Sequence, residues 1–164
     1  TDNYNALYDY PCVFLGMGFN RLSDPQYELE RELYFTNKQI TLFGNGWQGI
    51  PQWKGVLPAD KIGTLYKSAK SAIGIIAKKQ REHGMINNRY TEIAYSGCPL
   101  ISFNYDTVDW YGADKYINFV ESYNDVNKII NNIHNDNYKY KANELKVFIK
   151  NKDKLFYEKL ESLL

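Results

Sequence analysis

A run of twenty residues, 84–103, constrains the fold of this chain more than any other stretch. It begins with a glycine loop, continues as a helix-like segment that ends at Gly97, and closes in the apolar, strand-like residues 100–103. Asn87 or Asn88 can cap the helix, and apolar positions within it recur at intervals of three and four. The order of loop, helix, glycine and strand predicts part of an α/β sheet.

Short apolar segments typical of strands alternate with segments of helical periodicity along the rest of the chain. Strands are predicted at 12–15, 40–43, 53–56, 72–77 and 100–103, with a short extended piece at 116–120. Helices are predicted at 24–34, 58–69, 88–96, 124–134 and 138–164. This alternation predicts the fold class: α/β, a doubly wound, Rossmann-like parallel sheet with helices on both faces and strand order 3-2-1-4-5.

Length and composition indicate one globular domain. A chain of 164 residues can bury one core but not two ordinary ones. We interpret 1–10 as a linker, 11–137 as the domain, and 138–164 as a C-terminal helix that packs on this domain or braces another. With 44% hydrophobic and 24% charged residues the chain is unlike a disordered one. The net charge of +1 excludes a general affinity for polyanions.

Two further features bear on location. No apolar run reaches the length that a membrane-spanning helix needs, so we expect no membrane span. Cys12 and Cys98 each adjoin a strand-like run, where a buried free thiol is the common state. We therefore expect both cysteines to be reduced and the protein to be cytoplasmic.

The helix within 84–103 predicts a phosphate site. In a doubly wound sheet, such a helix begins at the carboxyl edge, where its free N–H groups and partial positive charge face a ligand. Arg89, in the first turn, adds a cation that can bind phosphate in a bidentate manner. Glu92, three residues further on, can accept hydrogen bonds from sugar hydroxyls.

Other candidate residues have two interpretations each. Gly16 and Gly18 after the first strand are a weak sign of phosphate binding, since the full dinucleotide fingerprint is absent. The basic segment 78–83, interpreted as a loop, either lies beside the ligand or is a solvated face. Trp47 either borders the cleft or packs on the sheet, and packing is favoured. No Cys, His and Asp cluster has the spacing of a metal site.

The pattern G-M-x-x-x-R-x-x-E-x-x-x-x-G-x-P-L-I over residues 84–101 resembles the donor-binding signature in the C-terminal half of GT-B glycosyltransferases. It is most similar to the group-1, family 4-like enzymes and their CgeB-like branch. The likeness extends over residues 12–134 and includes the G-x-G-W that follows the second strand. It implies one half of a GT-B fold. Gly84 stands where many family-4 enzymes have a glutamate near the donor sugar, so no particular sugar is implied.

The resemblance also assigns roles to residues. It implies that the donor is bound by Gly16, Gly18, Val56, Leu57, Gly84, Met85, Ile86, Asn87, Asn88 and Glu92, and the place of the basic segment beside the phosphate site adds His83. Within this set, Val56 and Leu57 would bind the nucleobase, and Glu92 would bind the ribose hydroxyls. The cations that would stabilise the departing diphosphate are Arg89 and Arg21, to which the basic segment beside the site adds Lys79. For Arg21 the alternative is a solvated residue near a helix start.

The implied function is transfer of a sugar from an NDP-sugar, with a UDP-sugar favoured, by a metal-independent enzyme without a tightly bound cofactor. The acceptor stays open between polysaccharide, protein and a modified DNA base, and a nucleic-acid partner is expected only in the last case. The resemblance places the acceptor-binding domain N-terminal to this segment, so we expect the segment alone to be inactive. The alternative is a non-catalytic nucleotide-binding or scaffold domain with the same fold.

Overall fold

The computed structural model describes residues 4–18 and 38–161, which form one sheet and the helices around it. The strands are β1 (Cys12–Leu15), β2 (Ile40–Phe43), β3 (Ala72–Gly74), β4 (Leu100–Phe103) and β5 (Asn118–Val120). The helices are α1 (Ile62–Ser68), α2 (Lys78–Glu82), α3 (Asn88–Ser96), α4 (Tyr123–Asn131) and α5 (Asp136–Glu161). Short 3₁₀ turns lie at Ala6–Tyr8, Ala59–Lys61 and Asp114–Tyr116. The predicted helix at 24–34 and Arg21 lie outside the described residues.

The sheet is parallel throughout, and its strand order is β2-β1-β3-β4-β5. In the pairing of β1 with β2, Cys12 lies opposite Ile40 and Leu15 lies opposite Phe43. Every residue of β1 to β4 is buried, as expected where both faces of a parallel sheet are covered. The predicted α/β, Rossmann-like fold class is confirmed.

The third predicted strand, 53–56, is wrong. Trp53 makes only an isolated bridge to Leu42, and its indole N–H donates to the carbonyl of Gly44 at 2.8 Å. The carbonyl of Gly55, which has a φ of 100°, accepts a hydrogen bond from the N–H of Gly44 at 2.9 Å, so the segment follows the edge of β2 without forming a regular strand. The edge on the other side is β5, where the sequence predicted only an extended piece. The order predicted for the other four strands agrees with the structure.

The end of β3 also differs from the prediction. The strand stops at Gly74 instead of residue 77, because the next carbonyl, that of Ile75, accepts a hydrogen bond from Asn87 Nδ2 at 2.7 Å. The segment 78–83, predicted as a loop, contains the short helix α2. Gln80 Oε1 accepts a hydrogen bond from the N–H of the residue before α2, which starts the helix.

The long helix α5 packs on the domain with its first half. Its 26 residues give a length of about 39 Å. Ala142 and Leu145 are buried, and α5 contacts α3 and the turn that contains Tyr116. Leu155 and Tyr157, near the end of the helix, are exposed. The first half of α5 thus packs on this domain. That the second half braces another domain stays a prediction.

Residues 4–10, which the sequence predicts as a linker, contact the domain. The N–H of Asn5 donates to Ser68 Oγ at 2.8 Å, and the carbonyl of Tyr10 accepts a hydrogen bond from the N–H of Lys70. The rings of Tyr8 and Tyr10 pack edge-on against Phe43. The division into linker and domain stays a prediction.

Both cysteines are free and buried. Burial raises the pKa of the Cys12 thiol to about 12, although a hydrogen bond with Ser71 opposes the shift. Burial also raises the pKa of the Cys98 thiol well above its usual value. The protonated thiols therefore behave as small apolar core groups. The cytoplasmic location stays a prediction.

Candidate functional site

A cleft of about 420 Å³ lies at the carboxyl edge of the sheet, between the end of β1 and the start of α3. Its floor is formed by the strand residues Phe14, Leu15 and Ile73 and by Ile75, directly after β3. Seven of the predicted donor-site residues line it: Gly16, Met85, Ile86, Asn87, Asn88, Arg89 and Glu92. One further polar residue that lines the cleft, Gln80, was not predicted. The fold thus brings two distant segments of the predicted site together.

Asn87 fixes the start of α3 to the end of the sheet. Its Oδ1 accepts a hydrogen bond from the N–H of Arg89 at 3.1 Å, which makes it the N-cap. Its Nδ2 donates to the carbonyl of Ile75 at 2.7 Å. One side chain therefore satisfies a free helix N–H and a free strand carbonyl at once. The first turn of α3 contains no acidic residue, so its partial positive charge is not neutralised locally.

The buried side of α3 is fixed as firmly as its start. Tyr90 packs over Gly74, where an added Cβ would lie 2.7 Å from the tyrosine ring. The hydroxyl of Ser102 donates to the carbonyl of Phe103 at 2.9 Å, so the Tyr90 hydroxyl donates to Ser102 Oγ, at 2.6 Å. Gly97 ends the helix with a φ of 77°. These contacts set the direction in which Arg89 and Glu92 project.

Arg89 and Glu92 form an ion pair across one helical turn. Arg89 Nη1 lies 2.5 Å from Glu92 Oε2, and both side chains are about one-third exposed, at 36%. A pair with this exposure stabilises a protein by about 0–1 kcal/mol. Hydrogen bonds from a guanidinium to a phosphate are worth about 1.5–3 kcal/mol. A phosphate ligand can therefore compete with Glu92 for Arg89.

The opposite wall of the cleft is the glycine loop after β1. The N–H of Gly16 donates to Phe43, the N–H of Gly18 donates to Asn45 at 2.7 Å, and the carbonyl of Gly16 accepts from Trp47 Nε1 at 2.8 Å. A Cβ at Gly18 would lie 2.4 Å from a neighbouring carbonyl oxygen. Close packing thus explains why glycine is needed at these positions. Their N–H groups already donate hydrogen bonds within the protein.

Trp47 is fully buried and its ring packs edge-on against Phe14 at a centroid distance of 6.0 Å. The packing interpretation of Trp47 is therefore confirmed.

Several predicted residues do not line the cleft. These are Gly18, Val56, Leu57, Lys79, His83 and Gly84. Gly84 has a φ of 66° and makes the turn between α2 and α3. His83 Nδ1 lies 2.8 Å from the carbonyl of Lys79, so this nitrogen donates. Their assigned roles stay predictions, as does that of Arg21.

Arg81, a third basic residue of the segment 78–83, makes contacts within the protein. Its Nη1 donates to the carbonyl of Ile76 at 3.1 Å. Its guanidinium lies 4.6 Å from the ring centroid of Tyr105. These contacts link α2 to the end of β3 and to the loop after β4.

A second, broader groove of about 880 Å³ lies on the other side of Glu92, between α1, α3 and α5. Ala59 and Ile62 line it, directly after the predicted base-binding residues 56–57. Glu92 lines both the cleft and the groove. A nucleotide with its phosphates at Arg89 can therefore extend past Glu92 toward this groove.

Within the described residues, no group of histidine, cysteine, aspartate and glutamate is arranged to hold a metal ion. None of the described helices combines the length and hydropathy needed to cross a membrane. Metal independence stays a prediction.

Solved structures that match this chain include glycosyltransferases of the GT-B type. The phage T4 β-glucosyltransferase in complex with UDP-glucose matches 93% of this chain with a TM-score of 0.68 and 16% identity. The pneumococcal O-GlcNAc transferase GtfA, in complex with UDP and GlcNAc, matches 97% with a TM-score of 0.55 and 11% identity. The kitacinnamycin glycosyltransferase matches 91% with a TM-score of 0.51 and 11% identity.

The coverage of these structures is partial. The chain spans about half of the T4 enzyme (46%), 37% of the pneumococcal chain and 41% of the kitacinnamycin enzyme. No protein-family model matches the sequence, and no curated protein matches it significantly. The CgeB-like branch therefore stays a prediction. The chain has the fold of one half of a GT-B glycosyltransferase.

Proposed function

We propose that this chain is the donor-binding half of a glycosyltransferase that uses an NDP-sugar, with UDP as the nucleotide. The observation that carries the proposal is the cleft at the start of α3, where Arg89 and Glu92 stand next to a helix N-terminus without acidic residues. The fold likeness supports it, because the T4 and pneumococcal structures are complexes with UDP-glucose and with UDP. The CgeB-like branch is part of the same proposal.

In the proposed mechanism, the diphosphate lies at the start of α3 and displaces Glu92 from Arg89. Negative charge grows on the diphosphate as the bond to the sugar breaks. Arg89 and the partial positive charge of the helix stabilise that charge. Glu92, once released, accepts hydrogen bonds from the ribose hydroxyls, and the base lies toward residues 56–57. Lys79 and Arg21 are proposed as additional cations.

Two finer points belong to the proposal. Arg89 and the helix take the role that a divalent ion has in other sugar transferases, so we propose a metal-independent reaction. The chain spans only part of the similar enzymes, so we propose that a second domain binds the acceptor and that this segment alone transfers no sugar. Polysaccharide, protein and a modified DNA base remain the proposed acceptor classes.

The test is calorimetric titration of this chain with UDP, GDP, ADP and TDP, with and without EDTA. We expect UDP to bind with a dissociation constant in the micromolar range, about −8 kcal/mol, and EDTA to have no effect. Arg89→Ala and Glu92→Ala should each weaken binding about tenfold or more. Lys154→Ala, which removes an exposed cation paired with Glu158 on α5, is the matched control and should bind as the wild type does.

The outcome also distinguishes the second candidate function, a non-catalytic scaffold domain. The observation that favours it is that the N–H of Gly16, which lines the cleft, already donates to the carbonyl of Phe43, so it cannot bind a phosphate as well. Failure of every nucleotide to bind, or equal binding by Arg89→Ala and the wild type, would support the scaffold and contradict the donor site.

A further inference from the structure

Gln80 is held rigidly at the edge of the cleft. Its Oε1 accepts a hydrogen bond from the N–H of Ala77 at 3.3 Å. Its main-chain carbonyl accepts from the N–H of Met85 at 2.9 Å and from that of His83 at 3.2 Å. The residue therefore connects the end of β3, the helix α2 and the loop that leads into α3.

The direction of the Gln80 amide follows from this network. A backbone N–H can only donate, so the side-chain atom that faces Ala77 must be the oxygen. The NH₂ group, Nε2, consequently faces away from Ala77. No described residue hydrogen-bonds to Nε2, and the half-buried Gln80 side chain lines the same cleft as Asn88 and Arg89.

An amide NH₂ can donate two hydrogen bonds and accept none, so its ligand must present an acceptor oxygen. The surrounding groups indicate which kind. The cleft has a guanidinium at Arg89 and the positive end of α3, while the N–H of Arg89 is already bonded to Asn87. An anionic oxygen gains from all of these groups together.

We propose that Gln80 Nε2 donates a hydrogen bond to a phosphate oxygen of the donor's diphosphate. This inference rests on the proposed function and adds a neutral, fixed donor to the cleft. Gln80 binds the substrate directly, and its position is set by Ala77 and not by the ligand. A donor that is already oriented loses little freedom when the ligand binds.

The test compares variants of Gln80 with UDP, uridine and UDP-glucose as ligands. Gln80→Glu keeps an oxygen for the N–H of Ala77 but replaces the NH₂ donor with a negatively charged oxygen. We expect it to weaken UDP and UDP-glucose binding about 30-fold and to leave uridine binding unchanged. Lys78→Ala makes the same change in net charge two residues away, at an exposed site paired with Glu82, and should change UDP binding less than about threefold.

A measurement on the wild-type chain makes the test independent of how well the variant folds. The side-chain NH₂ signal of Gln80 in a ¹H–¹⁵N spectrum, assigned from its loss in Gln80→Met, should shift with UDP and not with uridine.

Each outcome is decisive. If the wild type binds UDP but neither the signal of Gln80 nor the affinity of Gln80→Glu changes, this inference is wrong and the proposed function stands. If Gln80→Glu weakens only UDP-glucose and not UDP, the amide binds the sugar, and the phosphate assignment is wrong. If the wild type does not bind UDP at all, the proposed function and this inference fall together.

Discussion

Two helices begin at the carboxyl edge of the same sheet, and their first turns are built in opposite ways. At α4, Ser122 Oγ accepts from the N–H of Asp125, and Asp125 Oδ2 accepts from the N–H of Ser122 at 3.2 Å. The carboxylate lies in the first turn and pairs with Lys128 at 2.9 Å. At α3 the cap is the neutral Asn87, and the second residue of the helix is the cation Arg89.

The difference shows how side chains decide what a helix N-terminus can do. Both termini have free N–H groups and a partial positive charge. In α4 the Ser122 hydroxyl accepts from a helix N–H and the Asp125 carboxylate offsets the positive charge, so an added anion would meet a negative charge. In α3 the cap takes one N–H and leaves the positive charge to be shared with Arg89. Both helices begin at the same edge of the sheet, but of these two termini only that of α3 is suited to a phosphate.

The largest expected effect comes from making α3 resemble α4. Arg89→Glu places a carboxylate in the first turn of α3, where it removes the cation and repels the diphosphate. We expect UDP affinity, measured by calorimetry, to fall about 100-fold or more, equal to about 3 kcal/mol. The melting temperature should change little, because the favourable position of a carboxylate at a helix start offsets the loss of the ion pair with Glu92 and the repulsion between the two carboxylates.

The control is Asn124→Glu, which places a carboxylate at the second residue of α4 and should leave UDP affinity unchanged. Equal UDP affinity of Arg89→Glu and the wild type would remove the distinction between the two termini.

A smaller effect tests the caps themselves. Asn87→Ala removes the hydrogen bonds to Arg89 and Ile75, so we expect the free energy of unfolding to fall by about 2 kcal/mol. Ser122→Ala, which removes the cap of α4, should cost about 1 kcal/mol. The measurement is urea denaturation followed by circular dichroism.

Asn87→Asp sharpens this test. Aspartate is as good an N-cap as asparagine, but its second oxygen would face the carbonyl of Ile75 instead of donating to it. We expect it to destabilise the protein about as much as alanine does. Wild-type stability of Asn87→Asp would mean that the link from α3 to the sheet contributes little.

The smallest effect is a pH dependence confined to α4. The hydrogen bonds from Lys128, and next from Ser122, lower the pKa of Asp125 from 3.8 to about 2. Because the pKa is lower in the folded protein, this contribution is present above about pH 4 and is lost as the pH falls toward 2. Asp125→Asn should therefore be less stable than the wild type at pH 7, and the two should converge near pH 2.

The measurement is the urea midpoint as a function of pH. Asn87→Ala should differ from the wild type by the same amount at pH 3 and pH 7, since asparagine does not titrate. A gap between Asp125→Asn and the wild type that persists below pH 2 would contradict the role of the Asp125 carboxylate.

The sequence alone determined the local elements around the candidate site. The bounds of α3 follow from Asn87, which caps it, and Gly97, which ends it with a positive φ. The apolar run 100–103 was predicted as a strand and is β4. These features are readable because the signals lie within a few residues of the elements that they start or stop.

Only the tertiary structure decided which side chains meet. Asn87 contacts Ile75 twelve residues away, and Trp47 contacts Gly16 thirty-one residues away. The Gly16 loop and Asn87 are both recognisable in the sequence as polar or turn residues, but their partners depend on strand order and register. The sequence therefore suggested phosphate contacts for Gly16 and Gly18, whose N–H groups instead donate to the end of β2 and to the loop after it.

Gln80 is the clearest case of a residue that the sequence could not reveal. In the sequence it is one polar residue in the charged segment 78–83, a pattern typical of a solvated face. In the structure its amide is fixed by Ala77 and lines the cleft. Caps and turns depend on residues that are close together in the chain, so the local sequence predicts them. The groups that line a cleft come from separate strands and loops, and only the packing of the whole sheet brings them together.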